Sequence, residues 1–134
     1  MLLDTSIWIE FLAVRSRALT AAELDTVEAA IADGEVCTVL PIYAELLSGT
    51  RHDDHELRAL LSSLRFIDLD WRDAAVWERV ASLRQSAFSR RVRIPGVVDR
   101  MIIAAAQDAG EPIWALDGPL RHLARALGVA VGPR

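Results

Sequence analysis

Four carboxylates, Asp4, Glu45, Asp99 and Asp117, are the residues of this 134-residue chain best placed for chemistry, each for its own reason. Asp4 directly follows the apolar run Met1-Leu2-Leu3, and Asp117 directly follows Ile113-Trp114-Ala115-Leu116, so both stand at the ends of short β-rich segments. Either acid also suits a helix cap or a turn, with Thr5-Ser6-Ile7 after one and Gly118-Pro119 after the other. Glu45 is the only charged residue from Val36 through Thr50. A helix apolar nearly all round is predicted to be buried, and a buried carboxylate must pair with an arginine or bind a metal. Asp99 heads a stripe formed by Ile102, Ile103 and Ala106 at helical spacing, with Arg100, Gln107 and Asp108 on the other side. A first-turn acid there also complements the helix dipole.

If the four converge without counter-charge, they raise one another's pKa values, and divalent cations are the simplest resolution. An all-oxygen set favours Mg²⁺ or Mn²⁺, and the chain has no cysteine–histidine set for zinc. Such ions turn water into a nucleophile at neutral pH and stabilise charge on a phosphodiester. The basic residues are compatible with that substrate. All fifteen are arginine, which binds phosphate and stacks on bases. The absence of lysine excludes a Walker-type phosphate loop, a Schiff base and a receiver-type acidic pocket. The formal net charge of −4 looks wrong for a nucleic-acid binder, but setting the four candidate acids aside leaves acids and arginines equal in number.

The elements that must position these acids alternate. Met1–Leu3, Val36–Val39, Phe66–Leu69, Ile113–Leu116 and Val129–Val131 are predicted strands. Helices are expected near residues 5–13, 20–33, 41–48, 54–65, 71–91, 97–109 and 119–127. Thr20 with Glu23 forms a capping box, Asp70 is expected to cap a helix starting at Trp71, and Pro41 suits a first helical position. Gly34, Gly110 and Gly128 stand where helices end. The pattern implies an α/β fold with a mainly parallel sheet and helices on both faces, whose cleft lies beyond the carboxyl ends of the strands. The length suits one domain over residues 1–134, with the last few residues loosely held. No apolar run is long enough to span a membrane, the start lacks a secretory pattern, and Cys37 has no partner. A cytoplasmic protein is expected.

Met1-Leu2-Leu3-Asp4-Thr5-Ser6-Ile7-Trp8-Ile9-Glu10-Phe11-Leu12 resembles the opening of PIN-domain toxins, the VapC-type ribonucleases of toxin–antitoxin pairs. Ala44-Glu45-Leu46-Leu47-Ser48-Gly49 is similar to their second motif, Val98-Asp99-Arg100-Met101-Ile102-Ile103 to the third, and Trp114-Ala115-Leu116-Asp117 to the fourth. The resemblance runs nearly end to end. It implies a three-layer α/β/α sandwich, Mg²⁺-dependent endonucleolytic cleavage of RNA by metal-activated water with Mn²⁺ as a substitute, a homodimer, and a cognate antitoxin. Asp4, Asp99 and Asp117 then become metal ligands, Glu45 holds the attacking water, and Thr5 or Ser6 supplies a hydroxyl beside Asp4. The chain departs from the pattern at Pro119, where many members carry a further acid, and at Arg100, where a small residue is usual. A non-catalytic PIN scaffold binding RNA or protein is the alternative reading. A phosphatase acting on small molecules is a second.

Arg90, Arg91 and Arg93, with Arg100 beyond them, form a candidate basic lip for RNA, against the simpler reading of a solvated loop. Trp8, Phe11 and Leu12 give the first helix an apolar face that either packs in the core or receives an antitoxin helix. His52 and His55 flank Asp53-Asp54 in what reads better as a polar helix start than a metal cluster. Asp68 is taken as a solvent-facing residue.

Overall fold

The computed structural model describes residues 1–49, 54–67 and 69–133, so His52, Asp53 and Asp68 lie outside the described residues. Its elements are β1 (Leu2–Leu3), α1 (Thr5–Leu12), α2 (Ala21–Ala32), β2 (Cys37–Thr38), α3 (Leu40–Ser48), α4 (His55–Ser63), β3 (Arg65–Phe66), α5 (Ala74–Ser89), α6 (Val97–Ala109), β4 (Ile113–Trp114), α7 (Gly118–Ala126) and β5 (Val131–Gly132). The five strands form one parallel sheet in the order β3-β2-β1-β4-β5. Leu2 pairs with Cys37 on one side and with Ile113 on the other. Parallel crossovers are right-handed, so those leading outward to β2 and β3 cover one face and those leading to β4 and β5 cover the other. This is the α/β architecture expected from the alternating pattern.

Helix ends follow their local signals. Thr20 and Glu23 make the full capping box on α2. Gly34, Gly110 and Gly128 all adopt positive φ, at 72°, 68° and 80°, where a Cβ would be strained. Asp70 is a correction: α5 begins three residues later than expected, at Ala74, and Asp73 caps it by accepting from the Ala75 N–H. Asp70 instead accepts from the Arg72 N–H in a turn, and the carbonyl of Trp71 takes the Trp77 indole N–H at 2.7 Å. The Asp73 carboxylate thus takes the Ala75 N–H that a helix starting at Trp71 would have paired with the Trp71 carbonyl.

Leu2, Leu3, Ile7, Trp8, Ile102, Ile103, Ile113 and Leu120 are all fully buried. Helix α6 is enclosed beyond its expected stripe, since Ala104 and Ala105 are buried too. Reciprocal arginines close it against α5. Arg79 of α5 donates to the Ala104 carbonyl and pairs with Asp108, while Arg100 of α6 donates to the carbonyls of Val80 and Ala81. Trp114 packs on Gly132 so closely that a Cβ there would stand 2.5 Å from the indole nitrogen. Among the described residues no helix is long and apolar enough to cross a membrane.

Candidate active site

The sheet order places β1 between β2 and β4, so the chain reverses its direction of travel across the sheet at the β1–β4 boundary. A crevice forms there, beyond the carboxyl ends of the strands, because the crossovers on either side run to opposite faces. Asp4 directly follows β1, and Asp117 follows β4 after Ala115 and Leu116. The Asp4 N–H donates to the Trp114 carbonyl at 2.8 Å, which fixes the two segments side by side.

Asp4 is the N-cap of α1. Its Oδ2 accepts from the Ser6 N–H at 3.1 Å and from the Ser6 hydroxyl at 2.6 Å. The same hydroxyl accepts from the Leu116 N–H at 2.9 Å. Ser6 therefore bridges the acid at the end of β1 to the backbone one residue before Asp117. Arg121, one turn into α7, holds the other side of that segment by donating to the carbonyls of Ala115 at 2.6 Å and Gly132 at 3.2 Å. Asp117 caps α7 through the Leu120 N–H. Ser6→Ala leaves the Leu116 N–H without its acceptor and is expected to cost about 1–3 kcal/mol in urea unfolding. Unchanged stability would show that the bridge contributes nothing.

Asp99 lies in the first turn of α6 and accepts from the Gly96 N–H at 3.0 Å. Burial raises its pKa above the ordinary 3.8, the Gly96 hydrogen bond opposes this, and Asp117, Asp4 and Glu45 each add to the rise. The carboxyl of Asp4, 6% exposed, is likewise raised by burial, against the Ser6 hydrogen bonds and with a contribution from Glu45. The four acids named from sequence thus share one electrostatic neighbourhood.

Glu45 reaches it by a different route from the one expected. Helix α3 buries Ile42 and Leu46 but leaves Glu45 on its exposed side, so the argument from a buried carboxylate fails. Its Oε2 instead accepts from the Thr5 hydroxyl at 2.5 Å, across from α1. The cleft has a floor in Asp4, a half-buried wall in Asp99, and an open rim in Glu45 and Asp117.

Three salt bridges occur among the described residues and none involves the four acids, so no described cation forms an ion pair with them. An all-carboxylate set of this kind fits a hard divalent ion in its donor chemistry. Each carboxylate is, however, turned onto a local donor (Ser6, Thr5, Gly96 or Leu120), and among the described residues no three acid, histidine or cysteine side chains gather as a ready metal cage. Coordination exchanges these hydrogen bonds for ligand bonds.

Other expected site residues divide. Arg90, Arg91 and Arg93 are exposed where α5 ends. Arg100 turns away from the expected RNA lip, its guanidinium engaged by the Val80, Ala81 and Gly96 carbonyls. Trp8 is fully buried and Phe11 half-buried against it at 6.1 Å between rings, so Trp8 serves the core and cannot meet a partner directly. Leu12 is exposed, as is Ile9, which the sequence reading had not singled out. These two line a hollow of about 230 Å³ that also touches Thr5 and Glu45. The roles of Ile9 and Arg121 had only spacing to announce them, since i, i+4 from Thr5 and from Asp117, respectively, places each beside the site. A hollow of about 420 Å³ near Gln107 has a single acid in its lining, Glu111, which is paired with the chain's amino terminus and Arg65.

The PIN-domain family profile matches residues 1–126. No curated protein sequence matches the chain. Among solved structures, FitAcB from Neisseria gonorrhoeae superposes with a TM-score of 0.70 at 18% identity, covering 98% of this chain and 96% of that one. FitAB bound to the IR36 DNA fragment gives 0.68 at 18% identity, covering 98% and 92%. VapBC2 from Rickettsia felis, bound to a DNA fragment from its promoter, gives 0.65 at 16% identity, covering 98% and 96%. At these identities the likeness is one of fold.

Proposed function

The chain belongs to the PIN-domain family, and from that premise we propose that it is an Mg²⁺-dependent endoribonuclease, the toxin of a toxin–antitoxin pair. The observation that supports this most is the gathering of Asp4, Glu45, Asp99 and Asp117 at the sheet's reversal point, where burial and then the other three acids push the Asp99 pKa upward and, among the described residues, no arginine forms a salt bridge with any of the four. Asp4, Asp99 and Asp117 are assigned as the ligands of Mg²⁺, with Mn²⁺ as a substitute. When bound, such an ion supplies Lewis acidity for a phosphodiester and relieves the repulsion among the acids.

The chain's own groups do the rest. Thr5 fixes Oε2 of Glu45, which leaves Oε1 to accept a proton from the attacking water. Ser6 and Arg121 hold the Ala115–Asp117 segment against β1, so that Asp4 and Asp117 keep their spacing as substrate enters. The proposed product carries a 5′-phosphate. The test is cleavage of a mixed single-stranded RNA pool by purified protein, with Mg²⁺ or with chelator, followed by analysis of the ends. Cutting that persists in chelator, or 2′,3′-cyclic phosphate ends, would overturn the mechanism. Ser6→Ala removes a hydrogen bond that favours the ionised Asp4, so the acidic limb of the pH–rate profile is expected to move to higher pH; a limb that stays put would detach Ser6 from Asp4.

The solved complexes named above contain FitA with FitB and VapB with VapC, and by analogy we assign a cognate antitoxin as partner. Ile9 and Leu12, beside Glu45, offer it an apolar seat. A cytoplasmic homodimer built from this one domain completes the reading.

A further inference from the structure

We propose that Phe88, at the end of α5, is a base-stacking platform for single-stranded RNA, with Arg84, Arg91 and Arg93 around it as phosphate grips. The proposal rests on the nuclease reading above and names the strand form and the surface that holds it.

Phe88 is 69% exposed. Its ring lines two hollows, one of about 660 Å³ shared with Arg91, Arg93 and Ile94, the other of about 350 Å³ shared with Arg84 and Ile94. An exposed aromatic ring bordered by cations is an arrangement that holds unpaired bases, because every base offers a π-face and every nucleotide a phosphate. All three arginines are exposed, and none takes part in a salt bridge among the described residues. A chain of net charge −4 thus keeps uncompensated positive charge in one place.

Arg91 adds an independent sign. It sits at φ 56°, the only non-glycine residue with positive φ among the described residues, where the ends of α2, α6 and α7 use Gly34, Gly110 and Gly128. A left-handed backbone disfavours any side chain, and an arginine kept there is placed for what its guanidinium can reach. From Arg93 the chain runs through Ile94 and Pro95 to Gly96, whose N–H binds Asp99. The proposed grip is thus carried on the segment that leads in sequence into the Asp99 turn of α6. A second copy of the chain is the rival occupant, but burying three unpaired arginines against a protein surface costs their desolvation, whereas a polyanion complements them.

The test is binding of a short fluorescein-labelled single-stranded RNA of mixed sequence to the full-length protein in chelator, read by anisotropy across a salt series. Phe88→Ala is expected to weaken binding about tenfold with the salt slope unchanged, and Phe88→Trp to bind as the native protein does. Arg91→Gly, which the left-handed backbone favours and which should fold at least as well, is expected to weaken binding and flatten the log–log salt slope by about 0.7. Native affinity in Phe88→Ala would overturn the platform, as would a change from dimer to monomer in that variant by sedimentation, which assigns Phe88 to a second copy. If metal-dependent cleavage by the native protein survives those outcomes, the nuclease reading stands without the platform. Failure of the native protein to bind RNA in chelator overturns the platform, and the cleavage assay with Mg²⁺ then decides the nuclease reading on its own.

Discussion

Asp99→Asn is expected to lower RNA cleavage at least about a hundredfold and, at neutral pH, to give a more heat-stable protein. The loss follows from removing a charged oxygen from the proposed metal site. The gain follows from the direction of the Asp99 pKa. Burial first, then Asp117, Asp4 and Glu45, hold it above the ordinary 3.8 despite the Gly96 hydrogen bond. An acid raised in the folded state destabilises that state once ionised. The penalty is absent below the unfolded value near 3.8 and complete once the pH exceeds the folded value. Asparagine can still accept from the Gly96 N–H, so the first turn of α6 keeps its cap while the charge is lost. A first-turn acid also gains about 0.3–1 kcal/mol from the helix dipole, which works the other way and reduces the expected gain. Thermal melts should place the variant above the native protein at pH 7 and level with it near pH 3. Added Mg²⁺ should raise the native melting temperature and move the variant much less, because only a bound ion stabilises the folded state by mass action. A variant that melts lower than the native protein at pH 7 would mean that Asp99 is a helix cap and little else.

Trp8→Ala is expected to be the most damaging single change in α1, at about 3–5 kcal/mol in urea unfolding. Trp8 is fully buried, packs edge-on against Phe11, and belongs to the same core as Ile7, Ile42 and Leu46. Against a typical domain stability of about 5–15 kcal/mol, that leaves a marginal protein. Loss of antitoxin binding in this variant would therefore report unfolding. Leu12→Asp asks the interface question cleanly, because Leu12 is exposed and its replacement should leave stability within about 0.5 kcal/mol. Full stability of Trp8→Ala would contradict the packing described here, and full antitoxin affinity of a folded Leu12→Asp would remove the proposed seat.

The sequence by itself determined the element order and the ends of most helices, because these depend on local chemistry: the capping box at Thr20 and Glu23, the left-handed glycines, and apolar runs bounded by turn residues. It also determined which four acids to consider, since Asp4 and Asp117 are read from strand ends and Asp99 from helical spacing. The local signal at Asp70 lost to a second one at Asp73, whose carboxylate took the Ala75 N–H that a helix starting at Trp71 required. Tertiary structure alone decided the rest. Whether Glu45 is buried depends on what covers α3, and nothing in Pro41–Leu47 records that its outer side stays open to the cleft. Burial of Trp8 and exposure of Ile9 differ by one step of rotation around a short helix, which a pattern apolar on most sides cannot resolve. Arg100 lies beside Asp99 in sequence yet spends its charge on α5, because the carbonyls that receive it come from residues twenty positions away. The meeting of Asp4 and Asp117 required β1 and β4 to be neighbours, and strand order is a property of packing and crossover handedness that no local run of residues contains.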